Sequence, residues 1–199
     1  MADSADRPAP SRWQGAARAD DYDAKWKLMA DRGEDPHGEV AFVQRFDPTT
    51  VLDAGCGTGR VATELAARGV HAVGTDVDEH MLGVAREKAP QLEWVCSDLA
   101  ELQLGRTFDV VVMAGNIILF VTPGTEAAVV AGAGRHVAAG GFLIAGFQLG
   151  RGVEIDQWEQ WLISAGLQPL ARHGTWSGDE FQAGGDYLVS VAQRPESSP

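Results

Sequence analysis

The chain has two cysteines, Cys56 and Cys96, in 199 residues. Two thiols make neither a disulfide framework nor a zinc site. The expected compartment is a reducing cytoplasm, where both stay free. Long apolar runs are missing as well. No stretch approaches the roughly 20 apolar residues of a bilayer-spanning helix, and residues 1–12 lack the apolar middle of a secretion signal. Basic residues are scarce: 16 Lys and Arg stand against 28 Asp and Glu, for a net charge of −12. Such a surface repels phosphate backbones and anionic lipid, and no Lys/Arg cluster offsets it. The expectation is no nucleic-acid partner and no membrane partner. No repeat period is visible. The remainder, 45% hydrophobic and 22% charged, is ordinary globular composition, and the length fits one domain better than two.

Residues 1–12 (MADSADRPAPSR) and 195–199 are small, polar and proline-bearing, and are expected to be disordered tails. The body, 13–194, is expected to be a single domain, with 13–46 an N-terminal helical segment (helices near 22–30 and 39–46). Beyond it, short apolar runs alternate with segments of helical spacing. Strands are expected over 49–54, 70–75, 92–96, 108–113, 141–147, 167–176 and 187–193. Helices are expected over 59–68, 79–88, 125–137 and 156–165. The run FDVVVM is apolar almost throughout, as a strand buried on both faces requires. Alternation of this kind implies α/β architecture, a parallel sheet with helices on both faces. Ligands of such sheets sit beyond the carboxyl ends of the strands, so chemistry is sought there.

The strongest local feature is Asp53-Ala54-Gly55-Cys56-Gly57-Thr58-Gly59-Arg60, directly after a strand and opening a helix. Alternate glycines let the chain turn tightly and let a ligand approach closely. The helix start then offers N–H groups to an anion. A dinucleotide fingerprint, G-x-G-x-x-G/A, fails when counted from Gly55, because Arg60 stands last. Counted from Gly57 it ends on Ala62 but falls late in the loop. A P-loop would need Gly-Lys-Ser/Thr, which is absent. Asp53, two residues before the first glycine, would repel a pyrophosphate and suits a ligand with positive charge. Asp76 ends the second strand, where a carboxylate can accept from both ribose hydroxyls. Asp98 ends the third, placed to meet the amine of a base. Together these describe an adenosine site without a phosphate chain. Asp76 and Asp98 can also serve as helix caps. For Asp78 the cap reading is preferred.

At this point the sequence resembles the class I S-adenosylmethionine-dependent methyltransferases, over roughly residues 22–193. VLDAGCGTGR resembles the family's first motif, VGTDVDEHML its second, CSDLAEL its third, FDVVVMAGN its fourth and GGFLIAGF its fifth strand. The resemblance implies a Rossmann-like, doubly wound sheet of seven strands, the last antiparallel between the fifth and sixth. It implies S-adenosylmethionine as cofactor, S-adenosylhomocysteine as product, and a cofactor site built from Tyr22, Asp53, Gly55, Cys56, Gly57, Gly59, Asp76, Val77, Met81, Asp98, Leu99, Ala114, Gly115 and Asn116. Asp76 would bind the ribose and Met81 would pack on the adenine. Asp53 and the backbone of residues 114–116 would lie near the methionyl ammonium. Arg60 reads equally as a carboxylate contact or as a salt-bridging surface residue.

Absences narrow the reaction. Gly115-Asn116-Ile117-Ile118 replaces the Asn/Asp-Pro-Pro-aromatic of amide and base-amine methyltransferases. Met113-Ala114 replaces the aspartate of the metal-dependent catechol type, and Asp109 lies at the wrong end of its strand, so no metal is expected. The implied function is metal-independent methyl transfer to the hydroxyl or amine of a small molecule. Ile117, Ile118, Leu119 and Phe120 offer an apolar wall, of which at least half are expected to be core. The alternatives are a non-catalytic binder of the same cofactor and, behind it, a nicotinamide-dependent oxidoreductase. Among the histidines, His71, His80 and His136 read as surface residues, and His173 as a packed strand residue. His37 lies ahead of a helix that begins at the ligand end, and is the candidate general base. Trp13, Tyr22 and Trp26 read either as a lid or as core contacts. Trp158 and Trp161 read as core contacts, and Phe181 as a loop residue bordering the acceptor.

Overall fold

The computed structural model describes Leu28, Arg32 and residues 37–196. The expected N-terminal tail, the helix over 22–30, Trp13, Tyr22 and Trp26 lie outside the described residues, apart from Leu28, which is helical.

The chain enters through α1 (Gly38–Val43) and a short 3-10 turn (Gln44–Phe46). It then alternates: β1 (Thr50–Ala54), α2 (Arg60–Ala67), β2 (His71–Asp76), α3 (Glu79–Lys88), β3 (Glu93–Cys96), β4 (Phe108–Met113). A four-residue helix α4 (Ile117–Phe120) and α5 (Glu126–Arg135) lead to β5 (Val137–Gln148), α6 (Ile155–Ser164), β6 (Gln168–His173) and β7 (Tyr187–Gln193). The seven strands form one sheet in the order β3-β2-β1-β4-β5-β7-β6. The first five and β6 run parallel, and β7 runs antiparallel to both β5 and β6. This is the doubly wound sheet expected, with its last strand inserted between the fifth and sixth.

Side chains alternate between faces along each strand, and the two core clusters follow that alternation. Leu52, Val111, Met113, Leu143, Ala145 and Phe147 pack under α4, α5 and α6, whose Leu119, Val129, Ala133 and Trp158 meet them. Val51, Val110, Val112, Ile144 and Val191 face α1, α2 and α3 through Phe42, Val61, Leu65 and Leu82. Trp158 is fully buried and its indole N–H donates to Ser190 Oγ at 2.9 Å, so its one polar atom is satisfied inside the core. Trp161 is half-buried against the same cluster.

Several element ends differ from expectation for local reasons. Helix α5 stops at Arg135, not at residue 137, because His136 turns inward. Its Nδ1 lies 2.8 Å from Gly132 O, and Leu104 N donates to its Nε2 at 3.0 Å. His136 is therefore buried and joins two segments, not a surface residue. Strand β5 begins at Val137, four residues before the expected start. Its pairing with β4 shifts between Phe108 and Val110, where Gly140 takes φ +76°. Period-2 patterning does not survive such an irregularity. Residues 117–120, expected as an apolar wall, form α4.

Candidate functional site

Strand order reverses between β1 and β4, and a cleft of about 740 Å³, open mouth included, lies beyond their carboxyl ends. The glycine loop builds its floor. Gly55 N and Cys56 N both donate to Thr75 O at 2.8 and 2.9 Å, tying the loop to the end of β2. Gly57 N donates to Asp76 Oδ2 at 2.8 Å. A Cβ on Gly55 would fall 2.6 Å from Ile117 Cδ1, so the missing side chain makes room for α4. Gly59 has a different reason: a Cβ there would collide with the Trp94 ring. Gly55 and Gly57 line the cleft, whereas Cys56 and Gly59 do not.

The acids separate by what their oxygens already hold. Asp53 is buried, and its Oδ2 accepts from Ala62 N at 3.0 Å, pinning the first turn of α2 to the end of β1. Burial pushes its pKa up to about 7, against the Ala62 N–H and the Arg60 charge that pull it down. Asp53 does not line the cleft. Asp76 does. It accepts from Gly57 N and, through Oδ1, from Asp78 N at 2.9 Å. Burial raises its pKa although these N–H groups oppose the rise. The Val77 N–H acts on the same carboxylate, and with about four acceptor positions the group still has room for a further donor. Asp98 lines the cleft and spends Oδ1 on Ala100 N at 2.9 Å, a turn contact. Asp78 is the N-cap of α3, accepting from His80 N and Met81 N, as preferred from the sequence.

Val77, Met81 and Leu99 make an apolar slot beside Asp76 and Ser97. Gly115, Ile117, Phe120, Val121 and Thr122 close the other wall. Ile118 and Leu119 turn into the core, so half of the expected apolar wall is core. Ala114 and Asn116 lie behind the lining. Asn116 takes φ +68°, its N donates to Gly146 O at 3.1 Å, and its Oδ1 accepts from Gln148 N at 2.7 Å. Its carboxamide thereby fastens the end of β4 to the end of β5. Ser97, Val121 and Thr122 were missed by sequence reasoning. Ser97 adjoins Asp98 and was within reach of the strand-end argument. Val121 and Thr122 follow a helix too short to leave a periodic pattern.

His37 is the N-cap of α1, and its Nε2 lies 4.0 Å from Glu64. It does not line the cleft, because α1 docks along α2. Arg60, at the first position of α2, forms a two-bond ion pair with Glu39 of α1, at 2.5 and 3.0 Å, both side chains under 10% exposed. The salt bridge expected of Arg60 is there, but largely buried between α1 and α2 instead of at the surface. His71 and His80 are exposed, and His173 packs its ring edge-on to Phe42. Phe181 is half-buried against the core. Tyr22 lies outside the described residues.

Comparison with known proteins adds an independent line. Residues 51–141 match the family model described as "Methyltransferase domain". A magnesium-protoporphyrin O-methyltransferase of Rhodobacter capsulatus is 31% identical over 126 residues, 59% of this chain and 56% of that protein. A cypemycin N-terminal methyltransferase of a Streptomyces species is 36% identical over 110 residues, 52% of this chain and 45% of that protein. The chain thus spans about half the length of these curated relatives. A solved TehB-like S-adenosylmethionine-dependent methyltransferase from Corynebacterium glutamicum superposes with a TM-score of 0.82 at 30% identity, over 88% of this chain and 97% of that one. The chain belongs to the class I S-adenosylmethionine-dependent methyltransferases.

Proposed function

We propose that this chain, as a single domain over 13–194, is an enzyme that moves a methyl group from S-adenosylmethionine to the oxygen or nitrogen of a small molecule, without a metal. The observation that carries the reading is Asp76. Its carboxylate stands in the wall of the cleft with acceptor capacity still unused, beside an apolar slot and a glycine floor. That arrangement fits a ribose diol joined to a flat base. Val77, Met81 and Leu99 would flank the base, and Asp98 would receive its amine. Asp53, Ala114, Gly115 and Asn116 would lie at the methionyl end, where a buried carboxyl favours an ammonium. Cys56 and Gly59 would act through the loop's shape.

The bound cofactor supplies a methyl group on a good leaving group. The protein's work is then to hold the acceptor close, in line and dry, and positioning alone removes several kcal/mol of barrier. Metal independence is supported by where the polar groups are spent. Asp109 accepts from Thr49 N and Thr50 N at 2.9 Å, at the far end of β4, and Asn116 is held by Gln148. The curated relatives are named for acceptors as different as a porphyrin and a peptide N-terminus. For a hydroxyl acceptor the candidate base offered by the sequence is His37, although its ring stands by Glu64 and not in the cleft lining. His37→Ala would then lower turnover by about 10²–10⁴-fold, and a loss below tenfold removes it from that role. The proposed location is the cytoplasm. No helix among the described residues is long and apolar enough to cross a membrane.

Calorimetric titration with S-adenosylmethionine, S-adenosylhomocysteine and NADH tests the cofactor. Binding of the first two without the third supports the reading, and NADH binding alone overturns it. S-adenosylhomocysteine release in the presence of an acceptor separates the enzyme from a binder that only senses the cofactor.

A further inference from the structure

We propose that Trp176 and Tyr187 form the acceptor side of this site, and that Tyr187 Oη accepts an N–H from the nucleophilic nitrogen of an amine substrate. The proposal rests on the methyl-transfer reading. Its starting point is the run of the cleft. The half over β2 and β3 holds Asp76, Val77, Ser97 and Asp98, and the other end runs over β4 to Gly115. Past Gly115 come Asn116 and then Gly146, whose carbonyl Asn116 N meets at 3.1 Å. Among the described residues, Trp176 and Tyr187 pack on the cluster of the α1 and α2 side that also holds Ala114, beside Gly115.

Register places them there. Asp53 pairs with Val112, Val112 with Ile144 and Ile144 with Val191, so these share a rung. Gly146 is two residues beyond Ile144 toward the carboxyl edge and faces the same side. Because β7 is antiparallel, its first residue, Tyr187, stands at that edge, opposite Gln148. Its side chain returns over Gly146. A Cβ on Gly146 would fall 2.8 Å from Tyr187 Oη and would collide with the Trp176 ring. Glycine at 146 is therefore what admits both rings.

The hydroxyl is oriented. Trp176 Nε1 donates to Tyr187 Oη at 3.1 Å, which uses one lone pair. Trp176 in turn packs edge-on to Phe42. The second lone pair is available to an incoming N–H.

Chemistry selects the amine. A hydroxyl acceptor needs a base within reach, and a neutral amine does not. Burial pushes the Tyr187 phenol above its usual range, so it stays neutral and is no base. Asp53 Oδ2 is held by Ala62 N, and His37 lies against Glu64. Among the described residues the charges near this edge are Glu39, Asp53 and Asp76 against three arginines: Arg60, bound by Glu39, Arg45, which donates to Ser177 O and lies over the Phe42 ring, and Arg151, which donates to Gln148 Oε1. Each of these cations already has a partner, so none is set aside for a carboxylate or phosphate on the acceptor. With one N–H on Tyr187 Oη, the nitrogen lone pair is turned toward the methyl carbon. The N–C bond forms as the C–S bond breaks, the C–S electron pair stays on sulfur, and the resulting ammonium gives its proton to water.

The test uses the full chain as wild type, Tyr187→Phe and Trp176→Phe. S-adenosylmethionine affinity is measured by calorimetry. S-adenosylhomocysteine release is measured with four probes: benzylamine, glucosamine, phenol and benzoic acid. The expected result is release with the amines only. Tyr187→Phe then loses at least tenfold in kcat while cofactor Kd stays within twofold, which also reports that the site is folded. Trp176→Phe raises KM for the amine more than it lowers kcat. The proposal is overturned by methylation of phenol or benzoic acid alone, by amine turnover in Tyr187→Phe equal to wild type, or by a wild type that binds the cofactor and methylates none of the four. A wild type that does not bind S-adenosylmethionine overturns the methyl-transfer reading itself, and this proposal with it.

Discussion

Asp53 shows how one residue sets stability against function. Its carboxyl is buried beside Ala62 N and titrates near pH 7 in the folded chain, against a reference value of 3.8. Between those two values the unfolded chain has released a proton that the folded chain keeps. The contribution of Asp53 to folding stability is then fully present below pH 4 and is lost as pH rises through 7. Asp53→Asn keeps an oxygen for Ala62 N and removes the buried charge. At pH 8 it is expected to be more stable than wild type by about 2 kcal/mol, roughly 4–8 °C in a thermal melt. The gap should close near pH 4. A variant that melts lower than wild type at pH 8 would show that the charge itself holds α2 in place. Legibility at this scale follows from strand ends. Asp76 and Asp98 were readable because they close apolar runs, whereas Val77 and Leu99 came with the family resemblance. The purpose of Gly59 was not, because the ring it admits, Trp94, is 35 positions away in sequence.

Elements were readable in proportion to their periodicity. Helix α3, with its Asp78 cap and Pro90 stop, and strands β4 and β7 match the expected spans. Helix α4 was not readable. It has four residues and starts on Asn116 in a left-handed conformation that no sequence spacing encodes. Helix α5 carries a constraint that only packing reveals. A Cβ on Gly132 would collide with the Leu99 carbonyl, so α5 lies directly on the turn that delivers Leu99 to the cleft. Gly132→Ala gains helix propensity but must push that turn or the helix aside. The expected net loss is about 1–3 kcal/mol of stability, together with weaker S-adenosylmethionine binding because Leu99 moves. A variant as stable as wild type with unchanged affinity would contradict this packing. The test is a denaturant melt paired with calorimetry.

At the scale of the whole molecule, the alternation of strands and helices gave the parallel sheet and its two helical layers by physical argument alone. The position of β7 came only from the family resemblance. Nothing in YLVSVAQ says that it should enter antiparallel between β5 and β6. That insertion brings Tyr187 to the ligand edge.

The central claim is that this cleft holds the cofactor by its ribose, through Asp76. The most direct measurement is a calorimetric cycle of wild type and Asp76→Ala against S-adenosylmethionine and its 2′-deoxyribose analogue. Asp76 also holds Gly57 N and Asp78 N, so Asp76→Ala will loosen the loop. A loosened loop weakens both ligands alike, and the cycle removes that common effect. The account predicts that wild type prefers the natural cofactor by about tenfold or more, one charged hydrogen bond's worth, and that Asp76→Ala binds the two about equally. An equal penalty for the deoxy analogue in both proteins would contradict it, and would make Asp76 a loop anchor only.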